Sequence, residues 1–486
     1  MKTKIVILFL CAAYTAVSFA QNEVDVLRYS QLTFGGTARA NSMAGAFGAL
    51  GADFSGLSIN PGGIGMYRRS ELSFTPTIFS QSTSSTYNNV TGDNSKYNFN
   101  FGNAGITGTF LNHNLKDGEK GWVSGSIGFG YNRTNNFQNR INIEGANAAS
   151  SLLNVYLGQA NGINFNKLDQ FGSGLAFNTY LIDTISGGNG SNYYSPVPFG
   201  GVYQKKSIET FGSMGETVFS FGGNYNNKLY VGATIGIPHI HYNEESDYSE
   251  KDHKDTIPGF KTFTLNQSVT TRGTGVNLKL GMIYRAADWV RFGLAYHSPS
   301  VYNMHDEYKY SMSSQFDNGN KYNQDTPSGS YDYSLTTPSR SIASVGFIIA
   351  KKAILSADYE FIDYSTARLH STPNIFIDAN TQVRKKYTQA SNLRVGTEVR
   401  FDPFVVRFGY ALYGNPYKEN VNVNAARTSY TLGFGYREKD YYIDFAYVMT
   451  TFKEDYYLYD PTYVNLNPTH NTFKQSAFMA TFGVKF

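Results

Sequence analysis

The sequence predicts an all-β protein: a transmembrane, antiparallel, up-and-down β-barrel of about 14 strands with an N-terminal plug in its lumen. Three observations carry this prediction. Apolar and polar residues alternate along the strand segments, short turns alternate with long loops, and an irregular glycine-rich segment precedes the first strand. The composition agrees, because 48 Gly, 38 Tyr and 36 Phe are typical of strands and turns.

The first element is a secretory signal. A basic start at Met1–Lys4 is followed by an apolar run, and the small residues Ser18 and Ala20 precede Gln21, so residues 1–20 are expected to be removed by cleavage near Ala20–Gln21. The one cysteine, Cys11, lies within this signal. The mature chain is therefore expected to lack cysteine, which excludes a disulfide scaffold and a thiol redox enzyme.

Net charge and hydropathy further limit the class of protein. The net charge of +4 gives no reason to expect a nucleic-acid partner. After the signal no apolar run approaches the roughly 18 residues of a membrane-spanning helix. The mean hydropathy of −0.34 still fits a membrane barrel, because lipid-facing and lumen-facing residues alternate and cancel in the average.

The C-terminal strand shows the alternation best. One face of this strand is apolar and consists of Phe478, Ala480, Phe482, Val484 and Phe486. A terminal strand that ends on an aromatic residue resembles the signal that outer-membrane barrels present to the barrel assembly machinery, so Phe486 is expected to bind it. The alternative is an amphipathic edge strand of a soluble sandwich.

The connections favour the barrel over the sandwich. Short links alternate with long polar ones, as in an up-and-down outer-membrane barrel and unlike a Greek key. The short links are Asn226–Asn227, Ala286–Asp288, Lys351–Lys352, Asp402–Pro403 and Glu438–Asp440, and the long ones are 243–264, 303–332, 368–390, 414–427 and 454–473. Charged residues on the polar strand faces are expected to line the lumen and to form ion pairs: Lys279, Arg291, Asp358, Glu360, Arg394, Glu398, Arg407 and Asp444.

Two regions break the strand pattern. Helix-like spacing between 143 and 203 predicts a partly helical external loop near 135–205, within a barrel that spans 70–486. The second region, 21–69, is rich in glycine and contains Asn60, Pro61 and Gly62. Proline restricts Asn60 and bends the chain, and a barrel of this size needs a plug if small solutes are not to leak.

Residues 33–69, TFGGTARANSMAGAFGALGADFSGLSINPGGIGMYRR, resemble the N-terminal hatch of the FadL and TodX outer-membrane transporters of long-chain fatty acids and aromatic hydrocarbons. Asn60 and Pro61 match the family motif, whereas Gly62 replaces its alanine. Segments 275–300, 337–365 and 393–412 are similar too. The resemblance implies a 14-stranded barrel with a hatch, passive uptake of a hydrophobic small molecule across the outer membrane, and gating at Asn60, Pro61 and Gly62.

The resemblance also implies sideways release of the ligand through a gap at the third strand, WVSGSIGFGYNRT. Gly125, Gly128 and Gly130 are expected to permit an inward kink there, since glycine in a strand often marks a bend. We expect no cofactor, a monomer, and contacts with outer-membrane lipid and lipopolysaccharide.

The sequence also bears on three other functions. His239 and His241 share a strand face and are weak candidates for a metal or haem site, so an outer-membrane haem receptor is one alternative. A less selective porin is another, but a porin does not need about 50 irregular residues before its first strand. An enzyme is not expected, because no G-x-S-x-G motif is present.

Overall fold

We describe the fold from a computed structural model, which describes residues 23–115, 119–186, 189–197, 200–373, 375–419, 421–422 and 425–486. The predicted signal peptide lies outside these residues. Within them, no helix is both long and apolar enough to cross a membrane.

Strands dominate the chain. One sheet contains β1 (Glu71–Tyr87), β2 (Val90–Leu111), β3 (Trp122–Asn136), β4 (Asn139–Asn147), β7 (Val202–Tyr225), β8 (Leu229–Lys251), β9 (Phe260–Ala287), β10 (Val290–His297), β11 (Val301–Phe316), β12 (Lys321–Asp325), β13 (Gly329–Thr336), β14 (Arg340–Ile349), β15 (Ala353–Asp363), β16 (Arg368–His370), β17 (Gln389–Phe401), β18 (Phe404–Tyr413), β19 (Arg427–Arg437), β20 (Tyr441–Tyr456) and β21 (Thr469–Lys485). A separate pair is β5 (Asp183–Thr184) and β6 (Tyr193–Tyr194).

The large sheet closes on itself as an antiparallel barrel. Its wall runs β1–β2–β3–β7–β8–β9–β10–β14–β15–β17–β18–β19–β20–β21, and β21 pairs with β1 to complete the ring. β11 and β13 continue β10 and β14 outward after short interruptions, and β9 pairs with both β10 and β11. The prediction of a closed, 14-stranded, up-and-down barrel is confirmed.

The outer face of the wall is apolar, as a lipid-facing surface requires. Exposed aromatic side chains lie at both edges of this apolar surface. Trp122 and Trp289 lie near the short turns, and Tyr296, Tyr359 and Tyr430 lie near the opposite end. All the predicted short turns are present between successive strands. Asn226 and Asn227 adopt positive φ values of 55° and 54°, the left-handed geometry that a two-residue hairpin needs.

Two of the predicted long loops are wrong. β8 and β9 continue through most of 243–264, and β11, β12 and β13 occupy most of 303–332. A membrane-spanning strand needs only about 9–11 residues, whereas β7, β8 and β9 have 24, 23 and 28 residues. These strands therefore extend well beyond the membrane on the side away from the short turns.

The extended strands carry a folded external layer, which we call the cap. It includes α3 (Leu152–Ala160), α4 (Ser173–Asn178) and the β5–β6 pair, within the segment where the sequence predicts helices. Leu153 and Leu181 of this segment pack with Phe260, Phe263 and Leu458 in one apolar cluster. A further helix, α5 (Ile377–Lys386), lies in the predicted loop 368–390.

The N-terminal segment lies inside the barrel. It contains α1 (Glu23–Ser30), α2 (Ala38–Ser42) and two 3₁₀ helices, Phe54–Ser58 and Pro61–Met66, and nearly every residue from 36 to 65 is buried. The segment contacts strands on opposite sides of the ring: the 3₁₀ helix Pro61–Met66 lies against β7, β8 and β9, and α2 lies against β19, β20 and β21. We call residues 23–69 the hatch.

Candidate functional site

Buried ion pairs attach the hatch to the wall. Arg39 of α2 donates from Nε to Glu398 Oε2 at 2.9 Å, and Arg407 Nε donates to the same carboxylate at 2.8 Å. Arg407 also pairs with Asp444 at 2.8 Å, and its side chain is completely buried. Because each charge here is paired within the low-dielectric interior, loss of one partner would leave another charge uncompensated.

A second contact uses the hatch backbone. The N–H groups of Phe47 and Gly48 donate to Asp358 Oδ2 at 3.1 and 3.0 Å. Further lumen pairs are Arg340–Glu360 at 3.0 Å, Arg394–Glu360 at 3.2 Å and Lys279–Glu216. The prediction that the charged strand residues form ion pairs is confirmed for Glu398, Arg407, Asp444, Glu360, Arg394 and Lys279. Of the pairs named here, Arg39–Glu398 joins the plug to the wall, whereas the others join strands of the wall to one another. Arg291 instead donates to the hatch carbonyl of Leu50 at 3.4 Å.

Asn60 is the junction between the hatch and the wall. Its Nδ2 donates to the carbonyl of Gly48 at 2.6 Å and to that of Met282 on β9 at 3.0 Å. Its Oδ1 accepts from the N–H of Gly62 at 3.0 Å and so caps the 3₁₀ helix that begins at Pro61. The side chain thus fixes a local turn, another part of the hatch, and a strand at once.

Gly62 lies directly against the wall. A Cβ atom there would come within 2.8 Å of Met282 Cα and 3.0 Å of Met282 N, which are backbone atoms that cannot move aside. Facing glycines make the same close approach from the wall: a Cβ on Gly232 would lie 2.2 Å from the carbonyl oxygen of Pro61. The gating role of Asn60, Pro61 and Gly62 stays a prediction, but their packing explains the glycine at 62.

The pairing of the wall changes between β2 and β3. Their ladder runs from Leu111–Ser124 to Asn103–Asn132 and ends there, and we call the place beyond its end the gap. Beyond it, β3 keeps pairing with β7 but bulges between Arg133 and Asn135. Side-chain contacts join the two sides: Arg133 Nε donates to the Phe101 carbonyl at 3.2 Å, and farther out Lys96 of β2 pairs with Glu209 of β7 at 2.7 Å.

The hatch contacts β3 at the gap. Thr134 is the bulged residue, and its carbonyl accepts hydrogen bonds from both the N–H and the Oγ1 of Thr33, each at 2.9 Å. Asn135 Nδ2 donates to the carbonyl of Gln31 at 3.1 Å. The segment 31–33 of the hatch therefore occupies the inner side of the gap.

A bulge lies between the first two strands at the level of the gap. The β1–β2 register shifts between Thr75 and Pro76, so that Gly102 of β2 has no partner. Proline has no N–H to donate, and the extra residue of a bulge bends its strand. This bulge is next to Asn103, where the β2–β3 ladder ends.

The three glycines predicted to form the kink lie within the β2–β3 ladder, so they are closer to the short turns than the gap is. Gly125, Gly128 and Gly130 pair with both β2 and β7. A Cβ on Gly130 would lie 2.6 Å from Phe54 Cζ, and one on Gly128 would lie 2.8 Å from Leu57 Cδ1, so these two glycines make room for the hatch. A kink at these glycines stays a prediction.

Two of the cavities inside the barrel border the first part of the hatch. The smaller one has a volume of about 110 Å³ and reaches both edges of the gap, at Gly102 and Arg133. The larger one has a volume of about 410 Å³ and lies beside α1. Both are lined by Asn135, Asn136, Arg427 and Gln475, so they adjoin each other.

The histidine pair lies away from these cavities. His239 and His241 are exposed on the outer face of β8, while Ile240 between them points inward. Among the described residues, no three His, Cys, Asp or Glu side chains are arranged to hold a metal ion.

Sequence reasoning missed several residues of this site. Arg39, Glu216 and Arg340 complete the ion pairs, and Pro76 and Arg133 shape the gap. Two signals were available: Arg39 is a lone charge in a run of small residues, and Pro76 is a proline in the middle of a strand pattern, which marks a bulge.

Comparisons with known proteins agree with this architecture. A model of the family described as outer membrane protein transport protein (OMPP1/FadL/TodX) matches residues 213–478, more than half of the chain. A search of the curated proteins found no match.

Three solved structures share the fold. A Pseudomonas aeruginosa FadL homologue is 13% identical, with a TM-score of 0.56 and coverage of 94% of this chain and 99% of the other. The P. putida toluene transporter TodX is 12% identical, with a TM-score of 0.54 and coverage of 93% and 99%. The Ralstonia pickettii toluene transporter TbuX is 14% identical, with a TM-score of 0.50 and coverage of 93% and 99%.

The family match, the 14-stranded wall and the shared fold lead to one conclusion. The chain belongs to the OMPP1/FadL/TodX family of outer-membrane transport proteins, which are channels for hydrophobic compounds and not enzymes.

Proposed function

We propose that this protein takes up a hydrophobic small molecule passively, through the two cavities, and releases it sideways into the outer membrane between β2 and β3. The observation that carries the proposal is the position of the smaller cavity, whose lining includes residues on both edges of the gap. Arg133, which lines this cavity, is also a residue whose side chain joins the two sides of the gap.

The outer surface at the gap suits an apolar solute. Phe99 and Phe101 of β2 are exposed there and pack edge to face at 5.5 Å. Apolar solutes gain free energy when they leave water for such a surface. A path that opens into lipid needs no aqueous passage through the hatch, so the buried ion pairs around Arg39 can stay intact during transport.

The same geometry bears on the two alternatives. A porin conducts through an open lumen, whereas residues 36–65 fill this one. A haem receptor based on His239 and His241 would need both side chains inside, and both lie on the outer face. Fatty acids and aromatic hydrocarbons both remain open as ligands.

The test is to fill the cavity beside the gap. In Gly102→Leu the new side chain begins 3.0 Å from the Gly36 carbonyl and Thr77 Oγ1, and so extends into the cavity. We expect uptake of radiolabelled oleate or toluene by a bacterial host without its own channel of this family to fall at least about tenfold, since a filled site excludes the ligand.

Gly108→Leu is the matched control, because it lies on the same strand and a Cβ there makes only ordinary contacts at 3.6 Å or more. Uptake by this control should equal that of the wild type. Folding of both variants is checked by their heat-dependent shift on electrophoresis. A folded Gly102→Leu channel with full uptake of both solutes would refute sideways release at this gap, and a wild-type channel that accelerates neither solute would refute the proposed function.

A further inference from the structure

The cavity beside the gap contains hydrogen-bonding atoms that have no partner. Thr77 on β1 and Asn100 on β2 stand directly opposite each other in the ladder, and their side chains line the cavity. Each residue is more than nine-tenths buried, with exposures of 7% and 6%. Among the described atoms, Thr77 Oγ1 and Asn100 Oδ1 form no hydrogen bond, although buried polar groups are nearly always satisfied.

The orientation of Asn100 is set by a neighbour. Its Nδ2 donates to Asn98 Oδ1 at 2.9 Å, which leaves Oδ1 of this cavity-lining residue as an acceptor without a donor. The Thr77 hydroxyl can donate or accept. Opposite residues in an antiparallel pair have Cβ atoms about 4.5–5.5 Å apart, so one small ligand group can reach both. That group must donate to Asn100.

The remainder of the cavity selects for size and polarity. Apolar side chains, including Phe34, Phe79, Val448 and Met479, line it together with the polar pair. Its volume is about 110 Å³, which is of the same order as the roughly 150 Å³ of a buried cavity that holds benzene. The cavity is therefore suited to no more than one ring or a comparably short segment of a ligand.

We propose that Thr77 and Asn100 form a subsite for a hydroxyl group on a ring-sized hydrophobic molecule. The hydroxyl donates to Asn100 Oδ1 and exchanges a hydrogen bond with Thr77, while the ring packs among the apolar side chains. A carboxylate has no proton to donate and would face the Asn100 oxygen directly. Arg133 also lines the cavity and forms no ion pair with any described residue, so its guanidinium adds a donor for the ligand oxygen. This inference rests on the proposed function and specifies its ligand.

The experiment compares two probes of nearly equal shape, 4-fluorophenol and 4-fluorotoluene, with the protein in nanodiscs. Binding is measured by fluorine NMR titration, and empty nanodiscs give the partition into lipid. Because an unpaired buried polar group is unfavourable by about 1–3 kcal/mol, we expect the saturable affinity for 4-fluorophenol to exceed that for 4-fluorotoluene roughly tenfold.

Two variants test the assignment. Thr77→Val and Asn100→Leu each remove one polar partner, and in both the two probes should bind with affinities within about twofold of each other. Ser85→Ala is the matched control: Ser85 lies on the same strand, is buried, and also has an unpaired hydroxyl, but it does not line the cavity. It should keep the wild-type preference.

Three results would overturn the inference. These are equal saturable affinities of the wild type for both probes, tighter binding of 4-fluorobenzoate than of 4-fluorophenol, which would indicate recognition of charge by Arg133, and a preference that survives in both variants. If 4-fluorotoluene binds as well as 4-fluorophenol while cells still take up toluene, only the hydroxyl subsite fails. If neither probe binds and uptake is not accelerated, the proposed function fails as well.

Discussion

Single atoms decide how closely the hatch approaches the wall. Asn60, Pro61 and Gly62 face Gly232 and Gly281, and a Cβ on Gly281 would lie 2.0 Å from Asn60 Oδ1. Gly62 on the hatch and the two glycines of the wall thus leave room for this close approach. The departure from the family motif at position 62 has a steric reason in this chain, because the strand backbone fills the space where an alanine methyl group would lie.

Gly62→Ala tests this contact. The methyl group would overlap Met282 Cα, and overpacking of this kind lowers the free energy of unfolding by about 1–3 kcal/mol. Gly56→Ala is the control, since a Cβ there has no atom within 4 Å and should change stability by no more than about 1 kcal/mol. Unfolding in urea measures both. Equal stability of the two variants would contradict the steric account.

Glu398 is the carboxylate shared by the hatch and the wall. In Glu398→Gln, buried Arg39 loses its charged partner and buried Arg407 loses one of two, since it keeps Asp444, so we expect the free energy of unfolding to fall by about 3–5 kcal/mol. Glu209→Gln is the control, because Glu209 pairs with Lys96 and Arg140 near the surface and should contribute at most about 1 kcal/mol. A similar small loss in both variants would show that the lumen pairs are hydrated.

At the scale of elements, the cap depends on a buried carboxylate. Glu250 lies near the outer end of β8, well beyond the membrane-spanning part. It accepts hydrogen bonds from the Leu152 N–H at 2.8 Å, from Gln204 Nε2 at 2.9 Å, and from the hydroxyls of Ser151 and Tyr248. These bonds attach the first turn of α3 to the strand.

Burial raises the pKa of Glu250, even though the hydrogen bonds from Ser151 and Tyr248 oppose that shift. The other titratable groups at the site are tyrosines, and burial raises the pKa of Tyr87 to about 12. A carboxyl whose native pKa is raised makes the fold less stable as the pH rises above its ordinary value of 4.5 and through the native pKa, because the native state binds the proton more tightly.

We therefore expect the cap to be more protected at pH 5 than at pH 8. Hydrogen exchange of residues 151–160, corrected for intrinsic rates, measures this difference. Glu250→Gln should remove most of it, and Glu245→Gln, an exposed carboxylate on the same strand, should leave it unchanged. A pH dependence that persists in Glu250→Gln would assign it to another group.

The sequence predicts some of these elements better than others, for a physical reason. Inside the membrane, lipid requires an apolar outer face, so the alternation is clear along strands such as β10 and β21. Beyond the membrane both faces of β8 and β9 meet water or protein, the alternation weakens, and the strands resemble loops. The ion-pair partners could not be predicted from the sequence. Arg39 and Glu398, for example, are 359 residues apart, and spacing along the chain carries no information about such a contact.

At the scale of the whole molecule, we expect the wall to provide the fold and the hatch to provide the barrier to solutes. The wall is a ring closed by backbone hydrogen bonds, in which the β2–β3 ladder ends at the gap, and the hatch lies in its lumen. If the hatch is the barrier to polar solutes, its removal should leave a barrel that still folds, because the 14 strands pair among themselves.

Deletion of residues 24–66 tests this division. We expect unchanged β-sheet content by circular dichroism and a large conductance in planar bilayers, since a ring of this size then holds an aqueous pore. The full-length protein, refolded in parallel, should stay closed. Unchanged solute permeability after the deletion would show that the hatch is not the barrier.

The bond between Thr33 and the Thr134 carbonyl has a consequence for the wall itself. Inside a bilayer a backbone carbonyl without a partner is unfavourable by several kcal/mol, and here the partner comes from the segment ahead of β1. The ring closes through the β21–β1 pairing, so the deletion variant keeps its ring but loses this donor. We therefore expect the bulge at Thr134 to be the first part of the barrel to lose order when the hatch is absent.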